Sequence, residues 1–359
     1  MNTNGFIGTY TKDSGGRAEG IYSFVLNSRT GRIENLRIAA RTINPSYLAL
    51  SPAKQFLYAV NEVNEYEGSP TGSVSTFAVD AATGNLRFIN QQSSEGQSPC
   101  HIALGSGYAV IANYGDGILA ALPLTDGRAL GKAVQVIRLS GSGPNLARQE
   151  APHAHSFWFH PRGGWGVACD LGTDRLLAYA IHPKAAPGCT SAEPLTSVTP
   201  PWFSVKPGAG PRHGVFHPSG KYAYFVNELD STVDAFAYAG NSFSRLQTLP
   251  LLPPGVAVPN AAAAVKLSLD GQFLYASNRG HDSIAVFRVS QAGGTLAFAD
   301  CVPSGGKSPR DFAIDPSGAF LLACHQDSDT LTVFHIDQKT GTLRMDSDYA
   351  VPSPVCVVF

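Results

Sequence analysis

Charge of either sign is sparse in this chain. Only 15% of its 359 residues are Asp, Glu, Lys or Arg, and the formal net charge is −1. Such a balance leaves neither a broad basic face for nucleic acid nor an acidic tail, so no polyanion partner is expected. Long apolar runs are missing too: no segment reaches the ~18 uninterrupted apolar residues of a membrane-spanning helix. The opening MNTNGFIGTYTK has neither a basic region followed by an apolar run nor a small-residue cleavage site. A soluble, cytoplasmic protein that avoids membranes is the expectation. Cysteines are few and scattered, at Cys100, Cys169, Cys189, Cys301, Cys324 and Cys356, with no C-x-x-C pair. That pattern speaks against a structural zinc site or a disulfide framework and for free, buried thiols. Nor does any stretch offer a long helix.

What the chain does have is a repeat. PSYLALSPAKQFLYAVNE from Pro45, PRHGVFHPSGKYAYFVNE from Pro211 and PRDFAIDPSGAFLLACHQ from Pro309 share one layout. Each is an alternating run, a Pro/Gly turn and a second apolar run that ends in polar residues, which describes a β-hairpin. Weaker copies start at Pro99, Ala154 and Ala262, the last without its leading proline, so that successive copies lie 47 to 57 residues apart. Most hairpins are followed by a third strand such as STVDAFAY and by a turn-plus-strand ending such as DQKTGTLRMD. Four antiparallel strands at this period predict the blade of an all-β propeller. The termini complete the count. PSPVCVVF at the end supplies a lone first strand, Val355 to Phe359, and GFIGTYT near the start supplies a second, so one blade is split and the total is seven. Pairing of N- and C-terminal strands would close the ring and remove the sheet edge at the seam. A single domain, 1–359, is expected, with loops at Ser140 to Pro144 and Pro200 to Pro211.

In such a hairpin the start of the first strand and the end of the second lie at one edge of the sheet. In a ring these edges form one rim of the channel. The position after the leading proline reads Ser46, Cys100, His155, Arg212, Ala263 and Arg310. The last two positions of the second strand read Asn61, Asn113, Asp170, Asn227, Asn278, His325 and then Glu62, Tyr114, Leu171, Glu228, Arg279, Gln326. The opposite edge carries plain turns, so function is expected at the first.

Each residue has a bland reading. The recurring Asn/Asp suits Asx-turns. Glu62 is either a second carboxylate or a solvated loop residue, and His153, His213 and His281 individually read as satisfied loop histidines. His155, Arg212, Glu228 and Arg279 together are harder to dismiss: two cations, a carboxylate and an imidazole on neighbouring blades make a concave anion site with an acid/base group inside it. A salt bridge from Arg279 to Glu228 on the adjoining blade is the structural alternative, and the two roles are compatible. Gly280 would let the backbone beside Arg279 turn sharply.

The segments EAPHAHS (150–156), GPRHGVFHPSGKYAYFVNELDSTV (210–233), LYASNRGHDSIAVF (274–287) and PRDFAIDPSG (309–318) resemble the bacterial lactonase family of seven-bladed propellers, of 6-phosphogluconolactonase type. That family is also similar to fungal carboxy-cis,cis-muconate lactonizing enzymes. The resemblance runs nearly end to end and implies that His155, Arg212, Glu228 and Arg279 match the family's active-site positions. It implies hydrolysis of a sugar δ-lactone ester, foremost 6-phospho-D-glucono-1,5-lactone, to 6-phosphogluconate in the pentose phosphate pathway. Arg212 and Arg279 would bind the phosphate or the lactone carbonyl, and His155 or Glu228 would activate water. The partner is then a small anionic sugar lactone, with no cofactor and no metal required.

Other readings remain open at this level. A muconate-type cycloisomerase could use the same cations for substrate carboxylates. A propeller can also serve as a protein-interaction platform, although no exposed aromatic array marks this rim. Glu62, Asn113, Asp170 and Asn227 are oxygen donors, so a calcium-dependent lactonase is a further alternative.

Overall fold

The computed structural model describes residues 2–12, 15–125, 128–183, 193–239 and 242–359; the expectation for Cys189 lies outside them. Seven small antiparallel sheets make up the propeller. From the channel outwards, blade 1 comprises Tyr47–Leu50, Phe56–Asn61, Ser73–Val79 and Leu86–Ser93. Blade 3 comprises Ala154–Phe159, Trp165–Asp170, Arg175–Ile181 and Leu195–Ser204. The inner hairpins of blades 4, 5 and 6 are Pro211–Phe216 with Tyr222–Asn227, Ala261–Leu267 with Phe273–Arg279, and Pro309–Ile314 with Phe320–His325. No α-helix occurs among the described residues, and none is long and apolar enough to cross a membrane.

Blade 7 is the split one. The terminal strand Pro354–Val358 lies innermost and pairs with Asn2–Thr9, Ile7 opposite Val357 and Phe6 opposite Val358. The sheet continues through Gly20–Asn27 and Ile33–Arg41. The seam is covalently open but hydrogen-bonded shut, as the phase of the repeat requires.

The alternation of each strand puts apolar side chains on both faces of a blade, and seven clusters form, each between two neighbours. Blades 4 and 5 share Tyr224, Val226, Leu274 and Phe287, and blades 6 and 7 share Phe24, Ile7, Leu322 and Val333. Burying side chains of this size contributes ~1.5–3 kcal/mol each. Tyrosines on second strands add a polar staple: Tyr58, Tyr224 and Tyr275 donate to the carbonyls of Arg128, Gly294 and Gly341 in the outer turn of the next blade, at 2.6, 2.9 and 3.0 Å.

Two local expectations need correction. Blade 2 (Pro99–Gly105, Tyr108–Asn113, Ile118–Thr125) has two short outer strands, Ala129–Leu130 and Gln135–Arg138, instead of one. Pro123 explains the break: its carbonyl accepts from Gly131 on the outer side, where its missing N–H would also have pointed. Pro200 to Ser204, expected as loop, belong to the outer strand of blade 3. Pro200 and Pro201 fall at a register shift on an edge strand, between Ser197 paired with Tyr179 and Trp202 paired with Leu177, where no ladder donor is needed.

Candidate active site

The inner strands shift register at the rim in six blades. Pro99 pairs with Asn113 and His101 with Ala112, leaving Cys100 unpaired. In the same way the register skips His155, Arg212, Arg310 and, in the split blade, Val355, and in blade 5 it shifts between Ala262 and Val265. A bulge re-aims its extra residue, and here it turns the column after the leading proline towards the channel mouth. The second-strand ends supply Glu62, Tyr114, Glu228 and Arg279. A pocket of about 260 Å³ is lined by Glu62, Cys100, Tyr114, Arg148, His155, Glu228, Arg279 and Arg310, close to the lower end of the ~300–1,000 Å³ usual for small-molecule sites. Seven of these eight residues come from two columns of the repeat.

The Asn/Asp column behaves otherwise. Asn113 donates to Ser94 and Ile118 carbonyls, Asn227 to Thr232 and Asp234, and Asp170 accepts from His153 N, Gly172 N and Thr173 Oγ1. These side chains tie turns within the blades. Of the four oxygen donors considered for calcium, only Glu62 lines the pocket; Asp170 accepts through both oxygens, while the Oδ1 atoms of Asn113 and Asn227 are buried without a partner. No group of three His, Cys, Asp or Glu placed to hold a metal occurs among the described residues.

Glu228 is the centre of the arrangement. It is 4% exposed, yet its carboxylate meets three guanidinium groups. Arg148 Nη2 lies 2.6 Å from Oε1, while Arg212 Nε and Arg279 Nη2 each lie 2.9 Å from Oε2. Burial alone would push this carboxyl up, but Arg279 and Arg212, followed by His155 and Arg148, hold it well below the usual carboxylate range. It is an anion at any physiological pH.

The arginines are anchored beyond the carboxylate. Arg212 Nη1 donates to Ala263 O at 2.6 Å, and Arg279 Nη2 to Ala262 O at 3.1 Å. Burial, then repulsion by Arg279 and Arg310, brings Arg212 down to about 10, still protonated at neutrality. Arg279 Nε is buried without an acceptor. Gly280 has φ of +108°, and a Cβ there would lie 2.3 Å from Pro259 O, so the backbone beside Arg279 does turn where only glycine fits.

His155 sits 3.8 Å from Glu228 Oε2 through Nε2. Its ring meets Tyr114 and His213 edge-on, and Nδ1 approaches Cys100 Sγ at 3.8 Å. Burial, reinforced by the charge of Arg212, holds the imidazole well below its usual pKa against the pull of Glu228. His155 is therefore neutral at pH 7 and has a lone pair to offer. Cys100 is not a nucleophile: burial pushes its thiol far up, and Sγ points at the His155 carbonyl, 3.3 Å away.

The four residues singled out in the sequence thus lie together, though Arg212 is 2% exposed and lines a smaller recess beneath the pocket with Ser46, Tyr47, His213 and Asp311. His153 and His281 stand outside, bonded to Tyr114 O and Ser283 Oγ. His213 is buried among the rings of Tyr47, His101, His155 and Trp158. Five pocket residues fell outside that group of four. Glu62, Cys100, Arg310 and Tyr114 stood in the columns already. Arg148 did not, since it lies in the Ser140–Glu150 loop. Gln149 fixes that loop by donating to Leu171 O and Asp174 Oδ1, each at 2.8 Å.

Comparison with known proteins agrees with this architecture. The family model for lactonases with a 7-bladed beta-propeller matches residues 4–359. A 6-phosphogluconolactonase from Bacillus subtilis is 36% identical over 99% of this chain and 97% of its own length. Among solved structures, a Bacteroides fragilis protein proposed to be a 6-phosphogluconolactonase superposes with a TM-score of 0.92 at 37% identity, covering 99% of this chain and 97% of its own. A periplasmic gluconolactonase from Pseudomonas aeruginosa does so with a TM-score of 0.91 at 33% identity, covering 100% and 99%. By fold, strand order and sequence, this chain belongs to the lactonase family of seven-bladed β-propellers.

Proposed function

We propose that the protein hydrolyses a sugar δ-lactone, 6-phospho-D-glucono-1,5-lactone, to 6-phosphogluconate, with the whole chain acting as one propeller domain. The observation that carries this reading is a neutral imidazole beside a carboxylate clamped by three guanidinium groups, at the mouth of a lactone-sized pocket. Glu228, held by its arginines, is a poor base. His155 takes the role: its Nε2 accepts a proton from water as the oxygen attacks the lactone carbonyl carbon. The carbonyl π electrons move onto oxygen, and the unpartnered Nε–H of Arg279 meets the negative charge that develops there. When the tetrahedral intermediate collapses, the ring C–O bond breaks and His155 returns the proton to the departing alkoxide. General-base and oxyanion contributions of roughly 10²–10³-fold each suffice for an ester that opens spontaneously.

The five described cysteines are free, which fits a reducing cytoplasm. The names of the relatives favour hydrolysis over the cycloisomerase and interaction-platform alternatives. Freshly generated lactone, followed by proton release and product mass, tests the reaction. Hydrolysis liberates one acid and adds one water; an isomerase would leave the mass unchanged.

A further inference from the structure

Four arginines gather at the pocket and the recess beneath it, and three of them are engaged with Glu228. The fourth, Arg310, is the bulge residue of blade 6. Its guanidinium lies over the Tyr10 ring, 5.3 Å from the centroid, and among the described residues it has no hydrogen bond or ion pair. The nearby Glu62 carboxylate accepts the Tyr10 hydroxyl, which reaches Oε1 and Oε2 both at 3.0 Å, and its charge acts on Arg310 without a direct ion pair. Arg310 thus presents a planar fork of unused N–H donors to the cavity, held flat by an aromatic face.

We propose that Arg310 is the receptor for the substrate's anionic group and selects a phosphomonoester. This rests on the lactonase reading above and assigns the charged end of that substrate. Arg148, Arg212 and Arg279 are each pinned to Glu228, with further contacts to Tyr114 and the carbonyls of Ala262 and Ala263, and the Nε–H that Arg279 keeps free is the one assigned to the lactone carbonyl. The charge of the pocket points the same way. Around the pocket and its recess four guanidinium groups and Lys266 face three carboxylates, Glu62, Glu228 and Asp311, with Lys266 paired to Asp311 at 3.5 Å, in a chain whose own net charge is −1. Two uncompensated positive charges suit a phosphate dianion, and a neutral sugar lactone would leave both unmatched. A second observation lies beneath Arg310. The Ser46 hydroxyl is buried with no partner and lines the recess that Arg310 roofs, a space just sufficient for a water that could extend the cradle.

The test is calorimetric binding of three probes to the full-length protein: 6-phosphogluconate, glucose 6-phosphate and gluconate. They carry phosphate and carboxylate, phosphate alone and carboxylate alone. Wild type is expected to bind both phosphorylated probes at least ~30-fold more tightly than gluconate, and Arg310→Gln to lose that preference, as for a desolvated charge contact. Arg310→Lys, which keeps the charge but loses the fork, should retain part of it and serves in place of the glutamine variant should that fail to fold. Equal binding of phosphosugars by wild type and the folded variant, or gluconate binding as tight as 6-phosphogluconate, overturns the assignment. Phosphate binding through Arg310 without lactone opening would remove the lactonase reading and leave this site standing. Lactone opening with Arg310-independent phosphate binding would do the reverse.

Discussion

Arg279 and Glu228 meet across the boundary between blades 5 and 4, Nη2 lying 2.9 Å from Oε2. Neither blade builds the site alone: the acid ends the second strand of one blade, the base ends that of the next, and ring packing fixes their separation. The pair is structural and preorganising at once. Arg279→Gln leaves Glu228 two other guanidinium partners, so thermal stability should change little. Loss of the carbonyl donor should lower kcat/KM for the phosphorylated lactone about 10²-fold. A variant that melts much earlier while each folded molecule turns over normally would make Arg279 purely structural.

Glu228→Gln is expected to be the more damaging change. It leaves three cations facing one neutral amide, and breaking such a buried network costs about 3–5 kcal/mol. Because Glu228 titrates lower in the folded than in the unfolded chain, its stabilisation is complete above the ordinary carboxylate pKa of ~4.3 and is lost as pH falls from there through the folded value. Melting temperatures measured from pH 6 to pH 3 should therefore fall more steeply for wild type than for the variant. Parallel curves would mean that the carboxylate is not held down.

The acid limb of the rate profile should depend on which constant is plotted. In the empty pocket His155 faces Arg212, Arg310, Glu228, Cys100, Tyr114 and His213, and its imidazole is held well below the usual ~6.5. Hence kcat/KM for unphosphorylated gluconolactone, a substrate that does not itself titrate in this range, should hold its plateau to well under pH 6.5. A bound phosphate dianion offsets the arginine field, so the limb in kcat should lie at higher pH. Coincident limbs would show that substrate charge does not reach the imidazole.

Gln149 is a positioning residue. Gln149→Leu leaves Leu171 O and Asp174 Oδ1 short of a donor in a fully buried spot, at about 1–3 kcal/mol. It also frees the loop that carries Arg148. The expected signature is a raised KM for the phosphorylated lactone with kcat less affected, matched by Arg148→Ala. A Gln149 variant with normal KM would confine the residue to stability.

At the opposite rim, Gly341 has φ of +76°, and a Cβ would stand 2.2 Å from the Phe273 ring of the preceding blade. Gly341→Ala should cost about 2–4 kcal/mol in chemical denaturation while specific activity per folded molecule is retained. A loss of activity larger than the loss of folded protein would contradict the separation of the two rims.

The frame of the fold was legible because hairpin, turn and closing polar residues recur in phase, down to the split blade. The site was legible in part for the same reason: the bulge residues Cys100, His155, Arg212 and Arg310 occupy one column. That they are bulged was not legible, since a register shift is a property of pairing and leaves no residue signature. The Asn/Asp column looked equally polar, but short side chains reach only their own turn, while Glu228 and the arginines span the rim. Arg148 is off-frame, on a loop whose course depends on buried contacts of Gln149. Tyr10 matches the last position of a second strand, yet it belongs to the split blade, where the alignment has no preceding turn to fix it.

The most direct test of the account is the opening of freshly generated 6-phospho-D-glucono-1,5-lactone, corrected for the spontaneous rate, by wild type and by folded His155→Gln. Wild type is expected to accelerate opening, and the variant to lose 10²-fold or more of kcat, the size of a general-base contribution. An unaltered kcat in the variant, or a wild-type rate equal to the spontaneous one, would contradict it.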